Sequence, residues 1–600
     1  MFRFISILTI TLLSGLFSQC SSQSGFEKYY NQRSDYFSDL PGERQDSNEG
    51  LAILLEIEEN FNKLSPTEHK KFKKRMGDTF LMTALVLSIQ NKPDSSFIYL
   101  DKWLDARGAD LNLDFVNGAK GFNHVRNDAR FAPFMEKAKN QKAVSQPDLF
   151  TVKVSVRNLK KDIDVLQKVL EEAHQSLYLY TPQEQLDRAF DNARTSIKSE
   201  MTQTDFYKVI APLVATIKDG HTSVNFPITP SSLKCQIPLS FKVIDGNLFV
   251  SKSFDPKYDY LIGKQIEKIN GVAASELIKF ALTHFSSDGD NTTHQLFQLQ
   301  NPYRFANVLT LLTGRLEKNS VVVSGDSQPI TVFNTTRDSL RTKIQQAEAA
   351  IAPIDFKTID KNTALLSVRS FSASEYEKRN IRMREFLTTM LTSLAEQKTK
   401  NLIIDVRGNG GGEDVFGRML YACFAEKEFQ YYASLTIKKD DYDLFEYIEG
   451  GQRKMPEDFA VKNSSGTWDV TKKYNLNVGQ HTPFAPRYTG NIYVLMDGGC
   501  FSTTSEFLSH LHANTTAIFI GEESGGNYYS NNSGIIAEVV LPNSQLTVSI
   551  PMLKYVLAVP QNYPHKRNGI IPHHTISTSV EDLKSGTDSQ LNFTLNLLDK

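Results

Sequence analysis

Three short segments of the sequence contain residue types that can carry out nucleophilic chemistry. The first is Gly498–Glu506, in which Ser502 stands between the apolar run 492–496 and a helical pattern. A serine at a strand-to-helix turn is exposed beside the positive end of the helix dipole, a position that suits a nucleophile. The alternative is an N-cap serine, which is common at helix starts. This segment alone leaves both interpretations open.

The second segment, Asp405–Gly412, is rich in glycine and follows the apolar run 402–406. Glycines at a strand end let backbone N–H groups approach a phosphate, a carboxylate or an oxyanion closely. The spacing lacks the lysine and hydroxyl residue of a P-loop and the GxGxxG of a dinucleotide fold. A tight turn without a ligand is the alternative.

The third segment, Lys218–Thr222, ends a helical pattern, opens a β pattern and contains His221. Histidine is the side chain best suited to act as a base near neutral pH. A turn histidine after Asp-Gly is more often a surface or capping residue, so this segment also decides nothing alone.

The composition sets the wider limits. A chain of 600 residues is too long for one hydrophobic core, and we expect three or four domains. The formal net charge is −1 and no dense Lys/Arg cluster occurs, which argues against a nucleic-acid partner. The histidines form no ligand cluster and no cofactor motif is present, so we expect neither a metal nor a cofactor.

The N-terminus has the pattern of a secretory signal over residues 1–20. Arg3 precedes the apolar run 4–17, which is too short to span a membrane as a helix. Residues 16–20 resemble a lipoprotein cleavage box with Cys20 as the lipidated residue. We therefore expect an exported protein, either a periplasmic or cell-envelope lipoprotein or a secreted protein. The three remaining cysteines are far apart and predict no disulfide framework.

The order of helical and β patterns predicts a multidomain α/β protein. A tetratricopeptide-like array and a simple bundle are equally open for the first region, for which a docking role is the natural expectation. Isoleucines alternating over 262–269 and ending in Asn-Gly predict a strand entering a tight turn, similar to a PDZ domain. The predicted boundaries are 25–142 for the N-terminal helical region, 150–232 for a helical segment, 233–345 for the PDZ-like β module, and 355–600 for an α/β core decorated by an irregular insertion at 425–487.

Together the three segments, with Gly521–Gly526, resemble the C-terminal-processing (tail-specific) and tricorn-type serine peptidase family. The family pattern has Asp-Gly-His, then Asp-x-Arg-Gly-Asn-x-Gly-Gly, then Gly-Gly-x-x-Ser, and then Gly-Glu-x-Thr-Gly-Gly, and the order here is the same. The resemblance covers about residues 150 to 590. It implies a ClpP/crotonase-like α/β peptidase core.

The resemblance also implies roles for individual residues. Ser502 would be the nucleophile and His221 its general base, because Gly525-Gly526-Asn527 lacks the lysine that many members use. The oxyanion hole would be formed by backbone N–H groups of Gly410 or Gly411 together with Thr503. Glu523, or Glu522 beside it, is the candidate for the acid that orients His221.

The implied function is a serine-type peptidase acting on peptides or proteins, with C-terminal tails among the substrates to consider. The alternative is a catalytically inactive peptide- or lipophile-binding protein on the same fold. A third hypothesis makes the helical N-terminal region a scaffold to which the hydrolase domain is secondary.

Overall fold

The structure is a computed structural model that describes residues 25–108, 111, 113–145, 150–227, 234–326, 328–442, 447 and 455–598. The predicted signal peptide, with Cys20, lies outside the described residues. The described residues form two compact units, one ending at residue 145 and the other beginning at residue 150. None of the helices described is both long and apolar enough to cross a membrane.

The first unit is helical throughout its described part. Its helices are α1 (Gly25–Asp39), α2 (Gly42–Gln45), α3 (Asn48–Asn62), α4 (Pro66–Ile89), α5 (Pro93–Arg107), α6 (Leu113–Gly118), α7 (Asn123–Arg126) and α8 (Phe131–Ser145). Ser47 and Ser65 cap α3 and α4 with their hydroxyls. The predicted turn between two helices is present between α4 and α5, where Asn91 has a positive φ. Whether the unit is tetratricopeptide-like stays a prediction.

The second unit begins with a helical segment that carries His221 at its end. Its elements are β1 (Lys153–Val154), α9 (Val156–Ala173), α10 (Gln183–Ser196), β2 (Met201–Thr202), α11 (Gln203–Ala215) and β3 (Ser223–Val224). Ser155 caps the N-terminus of α9. The apolar face of α9 is fully buried in the large core of this unit. The loop between α11 and β3 reverses the chain at Lys218, which has a φ of +62°.

An antiparallel sheet follows, with helices that pack on it. The elements are β4 (Leu239–Ile244), β5 (Asn247–Ser253), β6 (Gln265–Ile269), β7 (Val272–Ala273), α12 (Ala274–His284), α13 (Thr292–Leu299), α14 (Pro302–Thr313), β8 (Lys318–Val323), β9 (Ile330–Phe333) and α15 (Arg337–Glu348). The sheet order is β4-β5-β6-β8-β9, with β7 paired to β6. Asn270 and Gly271 both have positive φ, so the predicted strand and tight turn at this position are confirmed.

The rest of the unit is an α/β core with a second sheet beside it. Its elements are β10 (Ile354–Thr358), β11 (Thr363–Val368), α16 (Ala373–Lys378), α17 (Met383–Glu396), β12 (Asn401–Asp405), α18 (Asp414–Ala422), β13 (Phe429–Gln430), β14 (Tyr432–Ile437), β15 (Ala460–Lys462), β16 (Trp468–Val470), β17 (Gln480–His481), β18 (Asn491–Met496), α19 (Thr503–Asn514), β19 (Ile518–Gly521), β20 (Ser530–Val540), β21 (Thr547–Leu557), β22 (His574–Thr575), α20 (Val580–Ser585) and α21 (Ser589–Leu598).

The core sheet has the order β10-β11-β12-β18-β19-β22 and is parallel from β11 to β22. The predicted parallel pairs are therefore confirmed. Its central strands are apolar on both faces, as expected for a sheet covered on both sides. Leu402 and Ile404 face the large core, whereas Ile403 lies in a separate cluster with Leu495 and side chains of α21.

Two predictions about this region are wrong in detail. The insertion at 425–487 is not merely decorative, because its strand β14 pairs with β21 in a second sheet of order β15-β16-β14-β21-β20. The helix predicted over 375–396 is two helices, α16 and α17, because the chain turns between them at Asn380, which has a φ of +54°.

Candidate active site

The motifs converge because of the parallel order of the core sheet. The carboxyl ends of β12, β18 and β19 lie at one edge of the sheet, where open α/β sheets hold their ligands. These ends lead into the glycine loop 405–412, the serine segment 497–502 and the segment 521–527. His221 arrives from outside this sheet, on the loop that leads into β3, and β3 is tied to β21 by pairing of Val224 with Val548.

Ser502 is the residue immediately before α19 and has a strained backbone. Its φ and ψ are +55° and −128°, a conformation that costs a non-glycine residue on the order of 1–3 kcal/mol. Ser502 occupies the N-cap position of α19, as the alternative interpretation predicted, but its hydroxyl makes no capping hydrogen bond. Instead Ser502 Oγ lies 3.2 Å from His221 Nε2. The structure thus brings the predicted nucleophile and base into hydrogen-bond reach across 281 residues of sequence.

The His221 ring is held by stacking. It lies against the Phe501 ring with centroids 4.5 Å apart, and Phe501 also stacks on the His294 ring with centroids 4.2 Å apart. Gly220 allows this approach, because a Cβ there would lie 2.6 Å from the Phe501 ring. Burial lowers the pKa of the His221 imidazole, and the nearby Asp219 carboxylate opposes this effect. The ring is therefore neutral at neutral pH and able to accept a proton.

Asp219 fixes the backbone that carries His221. Its Oδ1 accepts hydrogen bonds from the N–H groups of His221 and Thr222, both at 3.0 Å, and from the Thr222 hydroxyl. Its Oδ2 accepts one from the Asn532 amide of β20. His174 completes the network, since its Nδ1 accepts from Ser176 N–H and its Nε2–H therefore donates to Thr222 Oγ1 at 3.0 Å. Asp219 is saturated by these donors and does not hydrogen-bond to the His221 ring.

A second buried carboxylate, Asp288, joins this loop to the segment after β19. Its Oδ1 accepts from Gly220 N–H at 2.8 Å and its Oδ2 from Asn527 N–H at 3.0 Å. Burial, and then the negative charge of Asp219, raise the pKa of Asp288 to about 7. Asp219 and Asp288 thus hold successive residues of the Asp-Gly-His turn from behind.

The structure does not place a carboxylate against the other ring nitrogen of His221. His221 Nδ1 is buried and has no hydrogen-bond partner among the described residues. Glu523, the candidate acid, accepts hydrogen bonds from Asn291 Nδ2 and Gly569 N–H through Oε1, both at 3.0 Å. It therefore joins the α13 region to the chain near Gly569 and does not orient the His221 ring through a hydrogen bond. Glu522 lies 3.9 Å from Lys242 and is not the missing partner either.

The glycine loop packs directly against the nucleophile. A Cβ on Gly411 would lie 2.9 Å from Ser502 Cβ and 3.0 Å from Thr503 N. The Gly411 N–H donates to Asn409 Oδ1 at 3.0 Å, so it is already engaged. The N–H groups of Gly410 and Thr503 have no protein acceptor in the described part of the chain. Those two N–H groups remain available for a negatively charged oxygen.

The base of the glycine loop is held by ion pairs. Asp405 and Arg407 form a bidentate pair with distances of 2.9 and 2.8 Å, and Arg407 forms a second one with Asp588 at 2.8 and 2.7 Å. Arg369 lies 3.0 Å from Asp405 as well. These residues of the Asp-x-Arg-Gly-Asn motif therefore shape the loop rather than face the Ser502 hydroxyl.

Glu506, one turn into α19, is buried beneath the site. Tyr432 OH and Asn531 Nδ2 each donate to its carboxylate at 2.8 Å, which ties α19 to the second sheet. Burial, and then the charge of Asp414, raise the pKa of Glu506 to about 7.

Sequence reasoning missed Asp288, Asn532, His174 and the stacking role of Phe501. Asp219 was visible in the motif, but nothing in the sequence indicated what its carboxylate binds. Asp288 and Asn532 come from distant segments without a recognisable pattern. Within the described residues, no group of three or more His, Cys, Asp or Glu side chains is arranged to hold a metal ion.

The parallel sheet thus places a serine before α19 and a histidine opposite it within hydrogen-bond reach of each other. In a comparison with protein families, residues 362–576 match peptidase family S41. The matched residues include the glycine loop 405–412 and Ser502, whereas His221 lies outside them. A comparison with curated proteins finds no match.

Solved structures match the chain at low sequence identity. Mature CPAF complexed with lactacystin is 13% identical with a TM-score of 0.50, and the match covers 72% of this chain and 95% of that one. The photosystem II D1 C-terminal processing protease is 14% identical with a TM-score of 0.35, covering 72% of this chain and 98% of that one. The tricorn protease is 13% identical with a TM-score of 0.32, covering 74% and 36% respectively.

Proposed function

We propose that the chain is a serine-type peptidase that hydrolyses peptide bonds through an acyl-enzyme on Ser502, with His221 as general base. The observation that carries this proposal is the 3.2 Å distance between Ser502 Oγ and His221 Nε2. A neutral histidine within hydrogen-bond reach of a serine hydroxyl is the arrangement that activates a serine nucleophile.

In the first step, His221 Nε2 takes the hydroxyl proton while Ser502 Oγ forms a bond to the carbonyl carbon of the substrate. The carbonyl oxygen becomes an oxyanion, and we assign its stabilisation to the N–H groups of Gly410 and Thr503. Thr503 is the first residue of α19, so the helix dipole adds to its hydrogen bond. A preorganised donor at such a position lowers the activation free energy by about 3–4 kcal/mol.

In the second step, the C–N bond breaks and the His221 imidazolium gives its proton to the departing amine. A water molecule then loses a proton to the same nitrogen and attacks the ester carbonyl. Breakage of the ester bond returns the proton to Ser502 and releases the acid product.

A fluorophosphonate probe tests the proposal, because it reacts covalently with activated serines. We expect the full chain to be labelled at Ser502, and Ser502→Ala to abolish both labelling and peptide hydrolysis. Thr504→Ala is a matched control, because this neighbouring hydroxyl is buried in α19 without a hydrogen-bond partner. Labelling that persists in Ser502→Ala, or hydrolysis that is unaffected by His221→Ala, would contradict the mechanism.

A second candidate function is peptide or lipophile binding without catalysis. The specific observation that favours it is the unpaired His221 Nδ1, because catalytic histidines are ordinarily oriented through this atom. A chain that binds peptides but never reacts with the probe would have this function.

The proposal extends to location and partners. Export through residues 1–20, with a lipid on Cys20, is testable by membrane fractionation of wild type and Cys20→Ala. The sheet formed by β4 to β9 would capture extended peptides, including C-terminal tails, in the manner of a PDZ domain. The helical first unit would dock a protein partner, and deletion of residues 25–142 should abolish that binding while hydrolysis persists.

A further inference from the structure

A small polar cavity begins two residues beyond His221 and has no part in the chemistry described above. Its volume is about 90 Å³, and the residues that line it include Ser223, Phe285, Ser286, Gln298 and Arg304, together with Tyr207 and His284. Two residues of extended chain span at most about 7 Å, so the cavity lies close to the catalytic histidine. Room for roughly three water molecules also fits a carboxylate with one or two methylene groups.

The cavity is lined by one cation, Arg304, which is exposed to solvent and therefore accessible to a ligand. Arg304 donates to the neutral Gln298 side chain and lies over the Phe285 ring at 5.7 Å, and no carboxylate pairs with it in the described part of the chain. A guanidinium remains protonated in proteins, so Arg304 presents a positive charge to the cavity. Arg304 also lies in the first turn of α14, where the helix dipole is already positive.

The other titratable groups that line the cavity are neutral at neutral pH. Burial lowers the pKa of His284 to about 4, and it raises the pKa of Tyr207. Ser286, which is only 5% exposed, and Ser223 of β3 also line the cavity. An accessible guanidinium without a carboxylate partner, in a cavity also lined by serines, matches the chemistry of a carboxylate ligand.

We propose that the cavity at Arg304 is a subsite that binds a carboxylate group of the peptide substrate. This inference rests on the proposed peptidase function and names a substrate feature for it. The carboxylate can come from an acidic side chain or from the free C-terminus of the peptide. Both present the same planar pair of oxygens to the guanidinium.

The first experiment is digestion of a peptide library by the full chain, with the products sequenced by mass spectrometry. In wild type, an acidic residue or a free C-terminus should be enriched at a fixed distance from the cleaved bond. Arg304→Gln should reduce this enrichment about twofold to fivefold, the effect of losing a solvent-exposed charge pair. Arg304→Lys should retain part of it, and Arg304→Glu should favour basic residues at that position instead.

The control variant is Arg341→Gln, which removes the same charge from exposed helix α15, where Arg341 pairs only with exposed Asp338. It should leave the cleavage pattern unchanged. Melting temperatures of all variants identify any loss of folding. A library of C-terminally amidated peptides separates the two sources, because amidation removes the enrichment only if the free C-terminus supplies the carboxylate.

A binding experiment keeps this inference distinct from the peptidase proposal. Fluorescent peptides with Glu or Gln, and with free or amidated C-termini, are titrated into Ser502→Ala and Ser502→Ala/Arg304→Gln, and anisotropy is measured. Weaker binding of the carboxylate peptides to the double variant alone supports the subsite, even if the probe shows Ser502 to be unreactive. Equal binding to both proteins, or a wild-type cleavage pattern without carboxylate preference, overturns it.

Discussion

Gly411→Ala is the substitution for which the structure gives the sharpest expectation. Gly411 has a φ of +98°, a conformation that an L-residue adopts at a cost of about 1–3 kcal/mol. The new Cβ would also lie 2.9 Å from Ser502 Cβ and from Phe501 O. Carbon atoms pack at about 3.5–4.0 Å, so the nucleophile or the loop must move by about 0.5 Å or more.

The displacement acts directly on the reacting atom. Ser502 Oγ and His221 Nε2 are already 3.2 Å apart, so a further 0.5 Å or so removes the hydrogen bond. A misplacement of about 1 Å at an active site can cost on the order of a hundredfold in rate. We therefore expect kcat/KM and the rate of fluorophosphonate labelling to fall by about tenfold to a hundredfold, with a modest decrease in melting temperature.

Gly466→Ala is the matched control for backbone strain. Gly466 has a comparable φ of +86° in an exposed turn, and a Cβ there meets nothing within 4 Å. It should show a similar conformational cost with full labelling and hydrolysis. Wild-type labelling kinetics in Gly411→Ala, measured alongside this control, would refute the packing of the glycine loop against Ser502.

The remaining predictions concern titration and the support of the catalytic turn. Since burial lowers the pKa of His221, kcat/KM plotted against pH should fall on the acid side with a midpoint below the ordinary histidine pKa of about 6.5. A midpoint above about 6.5 would contradict a buried neutral base. The pKa of Glu506 is raised to about 7 on folding, so its contribution to stability is complete below about pH 4.5 and is lost as the pH rises through 7. Glu506→Gln should remove this decline of about 3 kcal/mol in the free energy of unfolding, measured by melting from pH 4.5 to 8. The same dependence of stability on pH in both proteins would refute the prediction. Asp219→Ala leaves the N–H donors of His221 and Thr222 unpaired, at a cost of about 1–3 kcal/mol each, and should lower both the melting temperature and the rate of hydrolysis. Asp219→Asn retains an acceptor at Oδ1 and should melt within a few degrees of wild type.

The core of the fold could be predicted because its strands are short apolar runs buried on both faces. The runs at 402–406 and 492–496 differ from the observed strands Asn401–Asp405 and Asn491–Met496 by one residue at most. The insertion could not be interpreted in the same way. Strands such as Ala460–Lys462 and Trp468–Val470 are only three residues long, too short for a periodic pattern, and their pairing with each other and with β14 gives them their place.

Only the residues of the candidate site that stand in recognisable motifs could be predicted from the sequence. The order of the motifs paired Ser502 with His221, although no spacing rule joins residues so far apart. The hydrogen-bond partners of the catalytic turn could not be found in this way. Asp288 lies after α12 and Asn532 in β20, and both are chosen by tertiary packing rather than by any local pattern.

The unpaired Nδ1 of His221 changes what must stabilise the imidazolium during catalysis. A carboxylate on that nitrogen would both orient the ring and balance its charge, and here the two tasks are divided. Stacking on Phe501 and the hydrogen bonds of Asp219 to the backbone set the orientation. The charge of Asp219, which acts through space to raise the pKa of His221, supplies the balance. Because Asp219→Asn retains the Oδ1 acceptor and removes the charge, a loss of acylation rate at unchanged melting temperature would isolate the electrostatic task from the geometric one.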